Sequence, residues 1–236
     1  MNPLRVFIGY DPREAEAYRV AVASLREQSA GPINVTPLDA ERLAACGLLR
    51  RPQDRRGYTY DIRSNAPQST EFAISRFLVP HLAQTGWALF VDCDVLFLAD
   101  VADLFDQANP DKAVMVVKHQ QSGGGTKMDG QQQLSYARKN WSSVCLFNCE
   151  HPANRRLSLQ DVNERPGRDL HAFYWLADSE IGSLSRDWNW LVGVDPKPLF
   201  PKLAHFTLGG PFTPGWKGGE HDDLWNSYAY RRSHAA

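Results

Sequence analysis

Trp87-Ala-Leu-Phe-Val-Asp92-Cys-Asp94-Val-Leu-Phe-Leu98 is the stretch on which the reading of this chain turns. Leu89, Phe90 and Val91 form an unbroken apolar run of strand formers. Two carboxylates one residue apart follow at once, and the chain then resumes its apolar character. In an extended backbone, residues two apart face the same side, with alpha carbons about 6.5–7 Å apart. Asp92 and Asp94 can therefore converge on one hard cation, and oxygen ligands suit Mg²⁺ or Mn²⁺. Cys93 between them is directed into the core. A strand end whose two Asp residues cap a following turn fits the same letters. The apolar segments on both sides put the pair at the edge of a buried sheet, where open α/β sheets bind ligands.

Working outward, Leu4–Ile8 reads as a first, central strand. It ends at Gly9-Tyr10-Asp11-Pro12, and a helix follows with Ala15, Ala17, Val20, Ala21, Val22 and Leu25 on one face. Ile33–Leu38 reads as a second strand, and Asp39 as the cap of a short helix over 40–46. Strand, helix, strand in this order predicts a mostly parallel α/β sheet. A short strand is expected at Tyr58–Arg63. A helix starting at Ser69 or Thr70 and carrying Arg76 is expected to reach Pro80. Strands are expected at Val95–Leu98, Ala113–Val117 and Ser142–Cys149, the last ending at Asn148 on the sheet edge. The segment 151–176 is mainly helical by pattern, with a break at Pro166-Gly167. Lys202–Thr207 reads as a short strand carrying His205.

With 236 residues the chain can bury a sizeable core in one domain, spanning 1–236 with a core of about 4–217 and a tail of 218–236. A net charge of −1 gives no electrostatic case for a nucleic-acid partner. Four cysteines in a chain this long do not make a disulfide framework. Cys145 and Cys149 on an extended segment would lie roughly 13 Å apart, too far to bridge. Free thiols are expected, with a reducing compartment. No apolar stretch is long enough to span a bilayer, and the chain reads as soluble and cytoplasmic. The basic run Arg50–Arg56 reads as a solvated loop, with phosphate or partner binding as the minority reading. The glycines at 123–125 lack the Walker pattern. Gln120–Thr126 is read as a flexible loop or lid.

Together these features resemble glycosyltransferase family 8, the glycogenin and lipopolysaccharide galactosyltransferase group. That resemblance implies a single-domain, Rossmann-like GT-A fold with a mostly parallel central sheet. It rests on an ordered set over residues 4–217: Tyr10-Asp11 after the first strand, Arg76 and Pro80 ahead of the acidic strand, Asp92-Cys93-Asp94, Asn148, Asp178, Trp188-Asn189, and His205 followed by glycines. By resemblance, Asp92, Asp94 and His205 hold Mn²⁺, with Mg²⁺ as the alternative, and the ion bridges the diphosphate of a nucleotide-sugar donor, a UDP-sugar. Gly9, Tyr10 and Asp11 hold the uridine, Cys93 lies within the donor motif, Arg76 lies near the diphosphate, and Asn148 and Asp178 contact the donor sugar. Asp178, Glu180 and Arg76 are the implied catalytic groups, and the implied outcome is retention. Two departures stand out. The family's Asp-Gln-Asp is Asp178-Ser179-Glu180 here, and its closing His-x-x-Gly-x-x-Lys-Pro-Trp is stretched to His205, Gly209-Gly210 and Trp216-Lys217, leaving Lys217 as candidate for the diphosphate lysine. The missing Gln keeps open an inactive nucleotide-sugar-binding protein. A nucleotidyltransferase is disfavoured because no Gly-rich basic loop follows the first strand. The acceptor (a glycan, lipid-linked sugar, protein or small molecule) falls to segments 50–65, 120–140 and 165–190, and the oligomeric state stays open.

Overall fold

A computed structural model describes residues 2–55, 59–119, 138 and 140–233. Strand β1 (Leu4–Tyr10) is the expected first strand. At its end Asp11 accepts the Arg13 backbone N–H at 2.9 Å, which sets a one-turn 3₁₀ segment over Pro12–Glu14. Helix α1 (Ala15–Gln28) buries Ala17, Val20, Ala21, Ser24 and Leu25, spaced three and four apart as one helical face requires. β2 (Ile33–Asp39) runs parallel to β1, and Asp39 caps α2 (Ala40–Ala45) by accepting from the backbone N–H of Glu41.

β3 (Gln53–Arg55), β4 (Thr59–Asp61) and β5 (Ala66–Pro67) form a small antiparallel sheet. Arg51, from the basic run, is buried there. It pairs with Asp61 and donates to the carbonyls of Val162 at 2.9 Å and Arg165 at 2.8 Å, which is a structural role.

The helix expected from Ser69 or Thr70 to Pro80 comes out in pieces. Residues 69–70 form a bend and 71–74 a turn, Ser75–Leu78 is a 3₁₀ turn, and α3 covers Val79–Ala83. Pro80 has no N–H to give to the carbonyl of Arg76, so the helix restarts with proline in its first turn. The preceding turn is pinned from outside, since Asp11 accepts the Glu71 N–H at 3.0 Å.

β6 (Trp87–Val91) and β7 (Val95–Phe97) flank the acidic pair, and α4 (Ala102–Phe105) and β8 (Val114–Val116) follow. The expected loop at 120–126 lies outside the described residues. β9 (Val144–Asn148) leads into α5 (Leu159–Glu164) and α6 (Gly167–His171), with the helical pattern broken at Pro166-Gly167 as the sequence suggests. β10 (Ile181–Ser183), β11 (Trp190–Leu191), β12 (Leu203–His205) and α7 (Asp222–Ser233) complete the order.

The main sheet has the strand order β10-β8-β9-β6-β1-β2. Pairing is parallel except on both sides of β9, so five strands point one way and β9 points the other. β6 is central, and Ala88 to Val91 are fully buried. A second sheet, β11-β12-β7, starts where the first ends. α7 packs Trp225 against Phe206 and Phe212, with ring centroids 5.2 and 4.8 Å away. Among the described residues, no helix is long and apolar enough to cross a membrane.

Candidate active site

The chain passes from one sheet to the other through Asp92-Cys93-Asp94. The Asp92 N–H continues the β6–β9 ladder by donating to the Ser143 carbonyl at 3.0 Å. After Asp94, β7 pairs antiparallel with β12, in the register Phe97↔Leu203, Leu96↔Ala204 and Val95↔His205. The Phe206 N–H closes this ladder on the Asp94 carbonyl at 2.9 Å. That register delivers His205 to the acidic pair.

His205 Nε2 lies 3.2 Å from a carboxylate oxygen of Asp94 and 3.9 Å from one of Asp92. One ligand atom from each of the three residues falls within 4.8 Å of the others. Two carboxylates and an imidazole suit a divalent cation such as Mn²⁺, Mg²⁺ or Zn²⁺. Burial alone would lower the His205 pKa, but the carboxylates of Asp94 and Asp92 outweigh it and hold the imidazole above its ordinary value.

Arg76 stands behind Asp92. Its Nη1 is 2.9 Å from Asp92 Oδ1 and donates to the Ser142 carbonyl at 2.9 Å, and its Nε donates to the Ala73 carbonyl at 3.1 Å. The guanidinium lies 4.8 Å from the centre of the Phe90 ring. Cys93 is fully buried, and its thiol donates to Glu14 Oε2 at 3.1 Å. Burial raises the Cys93 pKa well above its ordinary value. Glu14 itself is pushed up to about 7, chiefly by burial and then by the Asp94 charge.

Of the other predicted residues, Gly9, Tyr10 and Asp11 end β1 beside this edge. A Cβ at Gly9 would run into the Phe72 ring, so glycine is required for Phe72 to pack there. The Tyr10 ring meets Tyr18 edge-on, with centroids 5.3 Å apart. Burial opposes ionisation of Asp11, but hydrogen bonds from Arg13 and the Glu71 N–H prevail and hold its carboxyl below the ordinary value.

Asp178 precedes β10, with its side chain 88% exposed and 2.5 Å from Arg138. Both line an open depression of about 550 Å³, together with Trp141, Phe173 and Tyr174. Glu180 pairs with Arg156 and accepts the Ala177 N–H at 2.8 Å. Lys217 is exposed on the glycine-rich loop.

Asn148 is not brought to this edge. β9 runs against β6, so Asn148 sits opposite Trp87, at the far end from Asp92. The residues that β9 contributes to the site precede it: Ser142, whose hydroxyl is 2.7 Å from His171 Nδ1, and Ser143. Reading along the sequence also passes over Glu14 and His119. The Nδ1 of His119 is 3.3 Å from Asp195, and burial pulls its pKa down to about 4, which leaves the ring neutral near pH 7. The polar letter of Trp188-Asn189 was the available signal for the last member. Asn189 is buried among His119, Ser143 and His205.

Several solved glycosyltransferases share this architecture. The chain superposes on the galactosyltransferase LgtC, solved with donor and acceptor sugar analogs, at a TM-score of 0.56 and 13% identity, covering 97% of this chain and 96% of that one. Mouse xyloside xylosyltransferase 1 gives 0.53 and 14%, covering 91% and 100%. The bifunctional glycosyltransferase WbbM gives 0.61 and 14%, covering 96% of this chain and 49% of its own, so this chain spans about half of WbbM. At such identities the likeness is one of fold, and the fold is the GT-A glycosyltransferase fold. No family model matches the chain. Protein CDI of Arabidopsis thaliana is 46% identical over 231 residues, which cover 95% of this chain and 85% of that protein. By that identity, the chain belongs to the family of Protein CDI.

Proposed function

We propose that this protein is a divalent-cation-dependent glycosyltransferase of the family 8 type, acting as one domain. It moves a sugar from a nucleoside diphosphate donor, a UDP-sugar, to an acceptor hydroxyl with retention. The observation that carries this reading is the convergence of Asp92, Asp94 and His205 where the two sheets of a glycosyltransferase fold meet. A cation there, Mn²⁺ by preference, would act as Lewis acid on the leaving diphosphate.

The chain's own residues have distinct tasks on this reading. Arg76 holds Asp92 in place and adds a fixed positive charge behind the site. Gly9 and Tyr10 offer the end of β1 to the uridine. Asp11 acts indirectly, by fixing the turn between Arg13 and Glu71. The sugar occupies the depression beside Trp141, where Asp178 can accept hydroxyls and face an oxocarbenium-like centre. Lys217 lies on a loop that supplies charge to the diphosphate. The free cysteines support a reducing, cytoplasmic setting.

A second reading is a nucleotide-sugar-binding protein without transfer. It is favoured by Asp178-Ser179-Glu180 and by the engagement of Glu180 with Arg156. Thermal unfolding with UDP and UDP-sugars, with and without Mn²⁺, tests the shared part. A cation-dependent rise with UDP is expected, and its loss in Asp92→Asn and Asp94→Asn. No rise with any nucleotide in the presence of Mn²⁺ would sink both readings. Release of UDP from a UDP-sugar, with or without acceptor, separates enzyme from binder.

A further inference from the structure

The Asn189 side chain joins three elements at the back of the acidic site. Its Oδ1 is 2.9 Å from His205 Nδ1, and its Nδ2 is 2.9 Å from both His119 Nε2 and Ser143 Oγ. The direction of these bonds follows from the outermost member inward. The Asp195 carboxylate can only accept, so the neutral His119 ring carries its proton on Nδ1, toward Asp195. His119 Nε2 is then an acceptor and must face an N–H. That sets the Asn189 amide with Nδ2 toward His119 and Ser143, and Oδ1 toward His205. Oδ1 can only accept, so His205 carries a proton on Nδ1. Its Nε2, 3.2 Å from Asp94, is then the nitrogen that gives up its proton when a cation binds between the carboxylates.

We propose that Asp195, His119 and Asn189 form a relay that fixes the tautomer of His205 and presents Nε2 to a divalent cation. All three are positioning residues. The inference deepens the proposed function and rests on its cation site. Histidines that ligate metals commonly donate their second N–H in this way, and losing the outer partner typically weakens metal affinity by 10–100-fold. A plain structural reading, in which Asn189 only ties the turn before β11 to the turn before β9, predicts no special dependence on an acceptor at Oδ1.

The test uses the full chain at about pH 8, above the ordinary range of histidine. Mn²⁺ binding is followed by electron paramagnetic resonance, and the His205 tautomer by long-range ¹H–¹⁵N correlation in the metal-free protein. Asn189→Leu, which removes the acceptor at similar size, is expected to weaken Mn²⁺ by about 10–100-fold and to mix the tautomers. Asn189→Asp keeps an acceptor toward His205 and is expected to stay within about threefold of the parent. Asp195→Asn, on a half-exposed side chain, is expected to loosen the tautomer even if Asn189→Leu fails to fold.

Equal Mn²⁺ affinity in Asn189→Leu and the parent would overturn the relay while leaving the cation site standing. So would equal losses in Asn189→Leu and Asn189→Asp. If the parent itself ignores Mn²⁺, the cation reading fails. The tautomer measurement then still decides whether the relay exists, because a proton found on His205 Nε2 in the neutral ring refutes it.

Discussion

Replacing Arg76 by Met tests the electrostatic frame of the site most directly. The Arg76 and Asp92 side chains are 7% and 16% exposed, so the pair sits in the buried regime rather than the screened surface one. Met keeps most of the length and apolar volume but removes the charge. It leaves the Asp92 carboxylate without its guanidinium, strips donors from the carbonyls of Ser142 and Ala73, and loses the contact with the Phe90 ring. Breaking one side of a buried pair costs about 3–5 kcal/mol. The lost carbonyl bonds fall partly within that range because the same guanidinium makes them, and about 4 kcal/mol is the expected total. In a chain of this size each kcal/mol moves the melting point by about 2–4 °C, so the variant should melt about 8–16 °C lower. Removing both charges in Arg76→Met/Asp92→Asn should recover about half of the loss. Urea unfolding followed by tryptophan fluorescence gives all the values of this cycle. A loss under about 1 kcal/mol for Arg76→Met, or a coupling below about 0.5 kcal/mol, would refute the argument that the pair is buried and mutually supporting.

Gly9→Ala should cost about 1–3 kcal/mol through overlap with the Phe72 ring, and Phe72→Leu in the same chain should return part of it; equal stability of Gly9→Ala and the parent in urea would contradict this packing. Mn²⁺ affinity should fall as pH drops. Asp94 and Asp92 raise the His205 pKa, and a cation at Nε2 must displace that proton, so calorimetric titration should give full affinity only above the raised value. In the metal-free protein the sign reverses: the stabilisation from protonated His205 is fully present below its ordinary value of 6.5 and disappears as pH rises through the raised one. A thiol reagent should label Cys46 alone in the native protein and all four cysteines after unfolding. Burial encloses the other three and pushes Cys149 up to about 12.

The acidic pair was legible because its signal is local: two carboxylates at the end of an apolar strand, spaced to face one way. His205 was legible only through the order of residues in a resembling family. What brings it to Asp94 is the antiparallel pairing of β7 with β12, and no local pattern fixes that register. Asn148 was misplaced for a related reason. An apolar run shows that a strand exists but not which way it points, and reversing β9 exchanges its two ends. The edge then receives Ser142 and Ser143 in place of Asn148. The helix expected from Ser69 or Thr70 to Pro80 gave way to turns and a 3₁₀ segment before Val79, and Pro80 sits in the first turn of α3, where its missing N–H costs nothing. Glu14 carried no signal of its own, because its partner Cys93 lies far along the chain. His119 offered no pattern at all, and its role appears only when Asp195 and Asn189 close on it.

The charges at this edge explain why protons and a divalent cation should compete there. Glu14, Asp94, Asp92 and Asp11 lie close enough that the last three each raise the pKa of the first. Against these four carboxylates stand two guanidiniums, Arg13 on Asp11 and Arg76 on Asp92. Fully ionised, the group carries a formal excess of two negative charges in a poorly solvated place. Without a cation, protons relieve that excess: Glu14 rises to about 7, chiefly by burial and then by the Asp94 charge, and Asp94 and Asp92 hold His205 above its ordinary value. A divalent ion between Asp92, Asp94 and His205 would cancel the excess outright and lower both values. Both guanidiniums are already committed, Arg13 to Asp11 and Arg76 to Asp92. The side left for compensation is the open one, where a cation could touch the three ligands and a diphosphate at once.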